Sequence, residues 1–100
     1  MRIEETIEKM SIWSRARNLI KGSTQKDQLA KLMQEVGELS DNICKGKCTK
    51  DDIGDIGVVI NNLALQAGYT LAECFEHSYN DIKNRKGVML NGIFIKEGDS

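Results

Sequence analysis

Not one proline interrupts the 100 residues of this chain. Proline lacks a backbone N–H and clashes with the turn before it, so its absence leaves long stretches free to run as helix. Apolar residues then recur at helical intervals. Ile3, Ile7, Met10, Trp13 or Ser14, Arg17 and Ile20 predict a first helix over 3–20, ended by Gly22. Ser23 or Thr24 can cap a second helix over 24–45, with Leu29, Leu32, Met33, Val36, Leu39 and Ile43 on one face. Thr49 is placed to cap a third, 50–67, carrying Ile53, Ile56, Val59, Ile60, Leu63 and Ala67, with Gly68 at its end. Thr70-Leu-Ala-Glu73 is a capping-box pattern opening a fourth, 71–86, with Leu71, Phe75, Ser78 and Ile82 along it. The tail, 88–100, differs in kind. Val88-Met89-Leu90 and Ile93-Phe94-Ile95 flank Asn91-Gly92, which is a hairpin signal.

The expectation is one all-α domain over 1–100, a four-helix bundle-like protomer with a short hairpin-like tail. A chain of this length makes few core layers, so wide apolar helix faces would be completed by oligomerisation. The low aromatic content, 5%, argues against a β-sandwich or barrel. A net charge of −1 marks no nucleic-acid footprint. The sequence has no apolar run of the ~18 residues that a membrane helix needs. Three cysteines and no signal peptide suit a reducing, cytoplasmic setting.

Chemistry enters through acidic spacing. Glu35 and Glu38 stand at i, i+3 in the second helix, and Asp52 and Asp55 repeat that spacing in the third. The short connection predicts antiparallel neighbours, which would bring the two like-charged pairs together. Such pairs repel unless a cation sits between them, and four carboxylates offer oxygen ligands to a hard divalent ion such as Mg²⁺. Each pair has a plainer reading. Glu35 can pair with Lys31, four residues earlier, and Asp52 can be the acidic half of a capping box begun by Thr49. Gly37 and Gly54, each inside one of the pairs, cost a helix about 1 kcal/mol relative to alanine. Their matched positions point to close backbone approach or to room for a ligand.

Gln34-Glu35-Val36-Gly37-Glu38-Leu39 followed by Asp52-Ile53-Gly54-Asp55-Ile56 resembles the acidic signature of the MazG-like nucleoside triphosphate pyrophosphohydrolases. Trp13, Gly22-Ser23-Thr24, Lys31-Leu32-Met33 and Tyr79 through Gly87 resemble its compact, bacteriophage-type members. Two positions depart from the family pattern: Gln34 replaces an acid, and Asp52 replaces a glutamate. The resemblance implies cleavage of a nucleoside triphosphate between the α and β phosphates. It implies metal ligation by Glu35, Glu38, Asp52 and Asp55, with Mg²⁺ as the ion and Mn²⁺ able to substitute. Glu35 and Glu38 are the candidate catalytic residues, and Glu38, if not fully committed to the metal, is the carboxylate expected to accept the attacking water's proton. It also implies a homo-oligomer, a tetramer in preference to a dimer, in the cytoplasm (the host's, if the chain is phage-encoded).

An anionic substrate calls for cations. Asn80 and Lys83, with Arg85 at the end of the fourth helix, are the candidate phosphate or nucleotide contacts, and Lys31 is a further one. Against this, cations near a helix C-terminus also serve the helix dipole. Trp13 can stack on a base or fill the core. Three other readings remain open. Cys44, Cys48, Cys74 and His77 have ligand types suited to zinc. A non-enzymatic helical oligomerisation or regulatory module would share the same stripes. A relative acting on dUTP or guanosine tetraphosphate would share the same acids.

Overall fold

Capping chemistry sets the helix starts. In the computed structural model, which describes residues 1–98, α1 is Ile3–Ala16, α2 is Gln25–Cys44, α3 is Lys50–Gln66 and α4 is Leu71–Ile82. Thr24 accepts from the Asp27 backbone while the Asp27 carboxylate accepts from the Thr24 N–H, and Thr70 and Glu73 do the same for α4. The backbone N–H of Thr24 holds the Asp27 carboxyl below the usual carboxylate range. Thr49 makes no side-chain cap, contrary to expectation, so Asp52 is no capping-box partner.

Two helices are shorter than the periodicity predicts. α1 stops at Ala16 rather than near Ile20, because Asn18 turns left-handed (φ 59°) and breaks the ladder. Asparagine tolerates that conformation better than most residues. α4 stops at Ile82, and residues 83–86 lead directly into β1, Gly87–Leu90, which pairs antiparallel with β2, Ile93–Lys96. The Asn91-Gly92 turn between them has positive φ at both residues, as a tight two-residue hairpin demands. Of the expected tail, Asp99 and Ser100 lie outside the described residues.

α3 is the hub. It packs most extensively on α2, then on α1 and α4. Asn42 pairs with Asp52 at one end of the α2–α3 seam and Gln28 with Asn62 toward the other, so the two helices run antiparallel, as expected. The hairpin packs on itself, and all eight of its strand residues are exposed. This is therefore a layer of helices around α3 rather than a closed four-helix bundle. The radius of gyration, 16.2 Å, exceeds the ~13 Å of a compact 100-residue domain.

The interior is polar for its size. Among the described residues the buried apolar side chains are Val59, Ala64 and Leu71, whereas Ser14, Gln28, Glu35, Asp52, Asn61 and Asn62 are all buried. The apolar face assigned to α2 points largely outward: Leu29, Met33, Val36 and Ile43 are exposed, and so are Phe75 and Ile82 on α4. Seven-residue spacing explains the exchange. Gln28, Glu35 and Asn42 occupy the edge of α2 that meets α3, leaving the aliphatic residues on the adjoining face.

Candidate functional site: an acid-lined groove between the first three helices

The α2–α3 seam is built from side-chain amides. Asn62 donates to Gln28 (3.2 Å), and Gln28 donates to the Ser23 hydroxyl (2.9 Å). Gln66 donates to the backbone carbonyls of Ser23 (2.9 Å) and Ile20 (3.2 Å), while Gln25 donates to the Leu63 carbonyl (3.0 Å). These bonds tie the α1–α2 connection to the C-terminal half of α3. Asn61 donates to the Ser11 hydroxyl of α1 (3.0 Å), and between α1 and the seam lies a groove of about 830 Å³ whose walls include Met10, Trp13, Lys31, Glu35, Asp55 and Asn62. Four residues singled out in the sequence, Trp13, Lys31, Glu35 and Asp55, therefore share one cavity.

Glu35 is the most constrained of the acids. It is 6% exposed, and Lys31 approaches its Oε1 at 3.2 Å, as the plainer reading predicted. Its other oxygen, Oε2, is buried and takes no hydrogen bond. A buried carboxylate oxygen without a donor is costly, so this atom is suited to a cation. Asp52 is also buried and accepts from Asn42 Nδ2 at 2.9 Å. Partial burial raises the pKa of Asp55 above the usual carboxylate value, and the negative charges of Asp51, Glu35 and Asp52 add to that rise while Lys31 opposes it. Glu38 is exposed on α2.

This donor set suits a hard divalent ion in charge and in ligand chemistry. It is not gathered at ligand distance: among the described residues no group of three or more His, Cys, Asp or Glu side chains is close enough to hold a metal. The zinc alternative meets the same finding, with Cys44 and Cys48 both exposed. Nor do Gly37 and Gly54 mark close backbone approach, since a Cβ at either would meet nothing within 4 Å.

Trp13 is not a core residue. It is 47% exposed, and the Arg17 guanidinium lies 4.3 Å from its ring centroid. The α4 residues stand apart from the groove. Lys83 donates to Asn80 (3.3 Å) and Arg85 pairs with Asp81 (3.3 Å), all beyond the cavity lining. Gln28, Asn62 and Met10 are lining residues that the acidic motif does not reveal. A signal for two of them exists: Gln28 precedes Glu35 by seven residues, and Asn62 follows Asp55 by seven.

No protein-family model matches the chain. It is similar to an uncharacterized 18.2 kDa protein from the rep–hol intergenic region of Haemophilus phage HP1 (strain HP1c1), with 41% identity over 66 residues. The match covers 64% of this chain and 40% of the phage protein, so the chain spans well under two thirds of that relative. No solved structure matches.

Proposed function

We propose that this chain is a Mg²⁺-dependent nucleotide pyrophosphohydrolase, splitting a ribo- or deoxyribonucleoside triphosphate into monophosphate and pyrophosphate. One observation carries the reading: the buried Glu35 carboxylate, half paired with Lys31 and half without a donor, in the wall of a groove shared with Asp55 and Trp13. The resemblance of the acidic motifs supports the same assignment. Glu35, Glu38, Asp52 and Asp55 would hold the ion, and Mn²⁺ would serve in its place. When bound, the ion supplies charge neutralisation on the phosphate oxygens and a more acidic water. The remaining work falls to the chain. Exposed Glu38 accepts the proton from the attacking water, Lys31 faces the anionic substrate, and Trp13 stacks on the base.

Asn80, Lys83 and Arg85 lie outside the groove of their own protomer, so a phosphate-binding role for them belongs to a homo-oligomer, for which a tetramer is favoured over a dimer. Incomplete burial of the apolar helix faces supports such an assembly. The setting is the cytoplasm, the host's if the chain is phage-encoded. No described helix is long and apolar enough to cross a membrane.

A panel of ribo-, deoxyribo- and modified triphosphates, with dUTP and guanosine tetraphosphate included, assayed for pyrophosphate release in Mg²⁺, tests the activity and names the substrate. Glu35→Gln and Glu38→Gln each abolish release while the helical circular-dichroism signal persists. Near-wild-type turnover in either variant removes that residue from the site. A second reading, a non-enzymatic oligomerisation module, is favoured by the exposed apolar faces and by the ungathered acids. A thermal shift unmoved by Mg²⁺, Mn²⁺ or a non-hydrolysable nucleotide would select it, since a ligand that binds the native state must stabilise it.

A further inference from the structure

Cations and acids gather in different parts of this chain. Residues 9–26, from the middle of α1 to the first turn of α2, carry Lys9, Arg15, Arg17, Lys21 and Lys26 and no acid, although the net charge is −1. Residues 56–72, which take in most of α3 and the start of α4, hold no charged side chain. Where these two segments meet lies a cavity of about 720 Å³, with Arg15, Asn18, Lys21, Gln25 and Gln66 in its wall. It shares no wall residue with the acid-lined groove. Gln66 stands eleven residues beyond Asp55 on α3, about 16 Å at the helical rise. That is roughly twice the ~8 Å screening length at physiological ionic strength, so the acids of the groove leave these cations unneutralised.

No acid lines the cavity, and among the described residues neither Arg15 nor Lys21 makes an ion pair. The recess at the end of α4 is different: there Arg85 is paired with Asp81, and Glu97 stands in the same wall. Asp27, the acid nearest in sequence to the cavity, turns its carboxylate back to the Thr24 N–H. Wall carbonyls that would repel an anion are already engaged. Those of Arg15 and Leu65 accept from the Asn18 and Gly68 N–H groups, and that of Ile20 accepts from Gln66. The frame is fixed as well. Gln66 Nε2 donates to Ser23 and Ile20, and its Oε1 accepts from Gln25 (3.1 Å). The Gly22 N–H donates to the Asn18 carbonyl (3.1 Å), and a Cβ at Gly22 would collide with Asn18. Walls ordered in advance spare a ligand the cost of ordering them.

We infer that this cavity binds a small phosphorylated metabolite, its phosphate held by Arg15 and Lys21 and its organic part lying on Ile20 and Leu65. Two unpaired cations match a phosphate dianion, and the guanidinium fork suits its oxygens. Arg15 in the last turn of α1 also serves the helix dipole, but Lys21 lies outside every helix and has no such role. The volume falls within the ~300–1,000 Å³ of small-molecule sites, more than a bare ion fills. This site needs no metal and stands whether or not the groove hydrolyses nucleotides.

Titration of the isotope-labelled full chain with ribose phosphate and with inorganic phosphate, followed by amide NMR, tests it. EDTA and a fixed ionic strength keep the acid-lined groove free of divalent ions, so that it repels both anions. Saturable shifts are expected at Asn18, Ser23, Gln25 and Leu65, with none from ribose alone and weaker binding of inorganic phosphate at the same residues. Arg15→Gln and Lys21→Gln should each weaken binding about tenfold. Lys26→Gln, an equal change of charge outside the wall, should leave it unaltered. Failure of both anions to saturate overturns the site, as do shifts centred on Trp13 and Glu35 or equal losses in all three variants. Inorganic phosphate binding as tightly as the ester overturns the organic half of the assignment. A single-stranded oligonucleotide that shifts these amides where ribose phosphate does not overturns it in favour of nucleic acid. Arg15 and Lys21 are exposed, so both variants should keep their helical signal. Should one unfold, the wild-type shift map decides alone. Pyrophosphate release, present or absent, bears only on the groove.

Discussion

Between α2 and α3 the protein buries polar groups, while in the C-terminal hairpin it exposes apolar ones. The seam encloses Gln28, Glu35, Asp52 and Asn62, and two amide hydrogen bonds, Asn62 to Gln28 and Asn42 to Asp52, cross between the helices. The unpartnered buried atoms include Glu35 Oε2 and Asn62 Oδ1, on two residues of the groove wall. The hairpin is the reverse case. Val88, Leu90, Ile93 and Ile95 share one face of the ribbon and all meet water. An isolated two-stranded hairpin is marginal in water. Polar burial at the seam serves position and charge, whereas apolar exposure elsewhere marks surface that one protomer does not cover.

Five measurements put this contrast to the test. Leu71→Ala empties part of the small apolar core, and urea unfolding should show a loss of about 2–5 kcal/mol. The matching Leu90→Ala change in the hairpin should stay within about 0.5 kcal/mol in the isolated protomer. A loss comparable to that of Leu71→Ala would mean the hairpin is docked. Gln28→Ala removes the acceptor of the Asn62 amide inside the seam and should cost about 1–3 kcal/mol. A neutral result would deny the seam its role in holding the helices. Thr24→Ala deletes the capping box of α2, with an expected loss of about 1 kcal/mol.

The smallest effect tests the electrostatics of the groove. Folding raises the pKa of Asp55, so the native state favours its protonated form. The corresponding destabilisation is absent below the ordinary carboxylate value and emerges as pH rises through the raised one. Asp55→Asn should therefore match wild type in acid and be the more stable protein at neutral pH. Added Mg²⁺ should stabilise wild type more than D55N. A pH-independent difference would mean that Asp55 does not sense its acidic neighbours.

Much of the local structure was legible. The capping boxes at Thr24 and Thr70 follow from residue chemistry within one turn, and the Asn91-Gly92 turn from the positive φ that those residues tolerate. Helix ends were less so, since Asn18 reads as an ordinary helical residue until its backbone turns left-handed. Within the candidate site, the Lys31–Glu35 pair is local and could be read from i, i+4 spacing. The union of Trp13, Glu35 and Asp55 in one groove depends on three helices meeting, and no spacing within one helix reports it.

The division follows the range of the forces. Four helices, the capping boxes of two of them and a terminal hairpin follow from residue chemistry alone, because those depend on hydrogen bonds and steric limits within a few residues. Only the tertiary structure decided which face of each helix turns inward. It set Gln28, Glu35, Asp52 and Asn62 against one another and left Leu29, Met33 and Ile53 outside. Amphipathic periodicity identifies a face but not its partner. Here the cross-helix amide bonds, formed between residues 34 positions apart for Gln28 and Asn62, selected the polar edge for the seam.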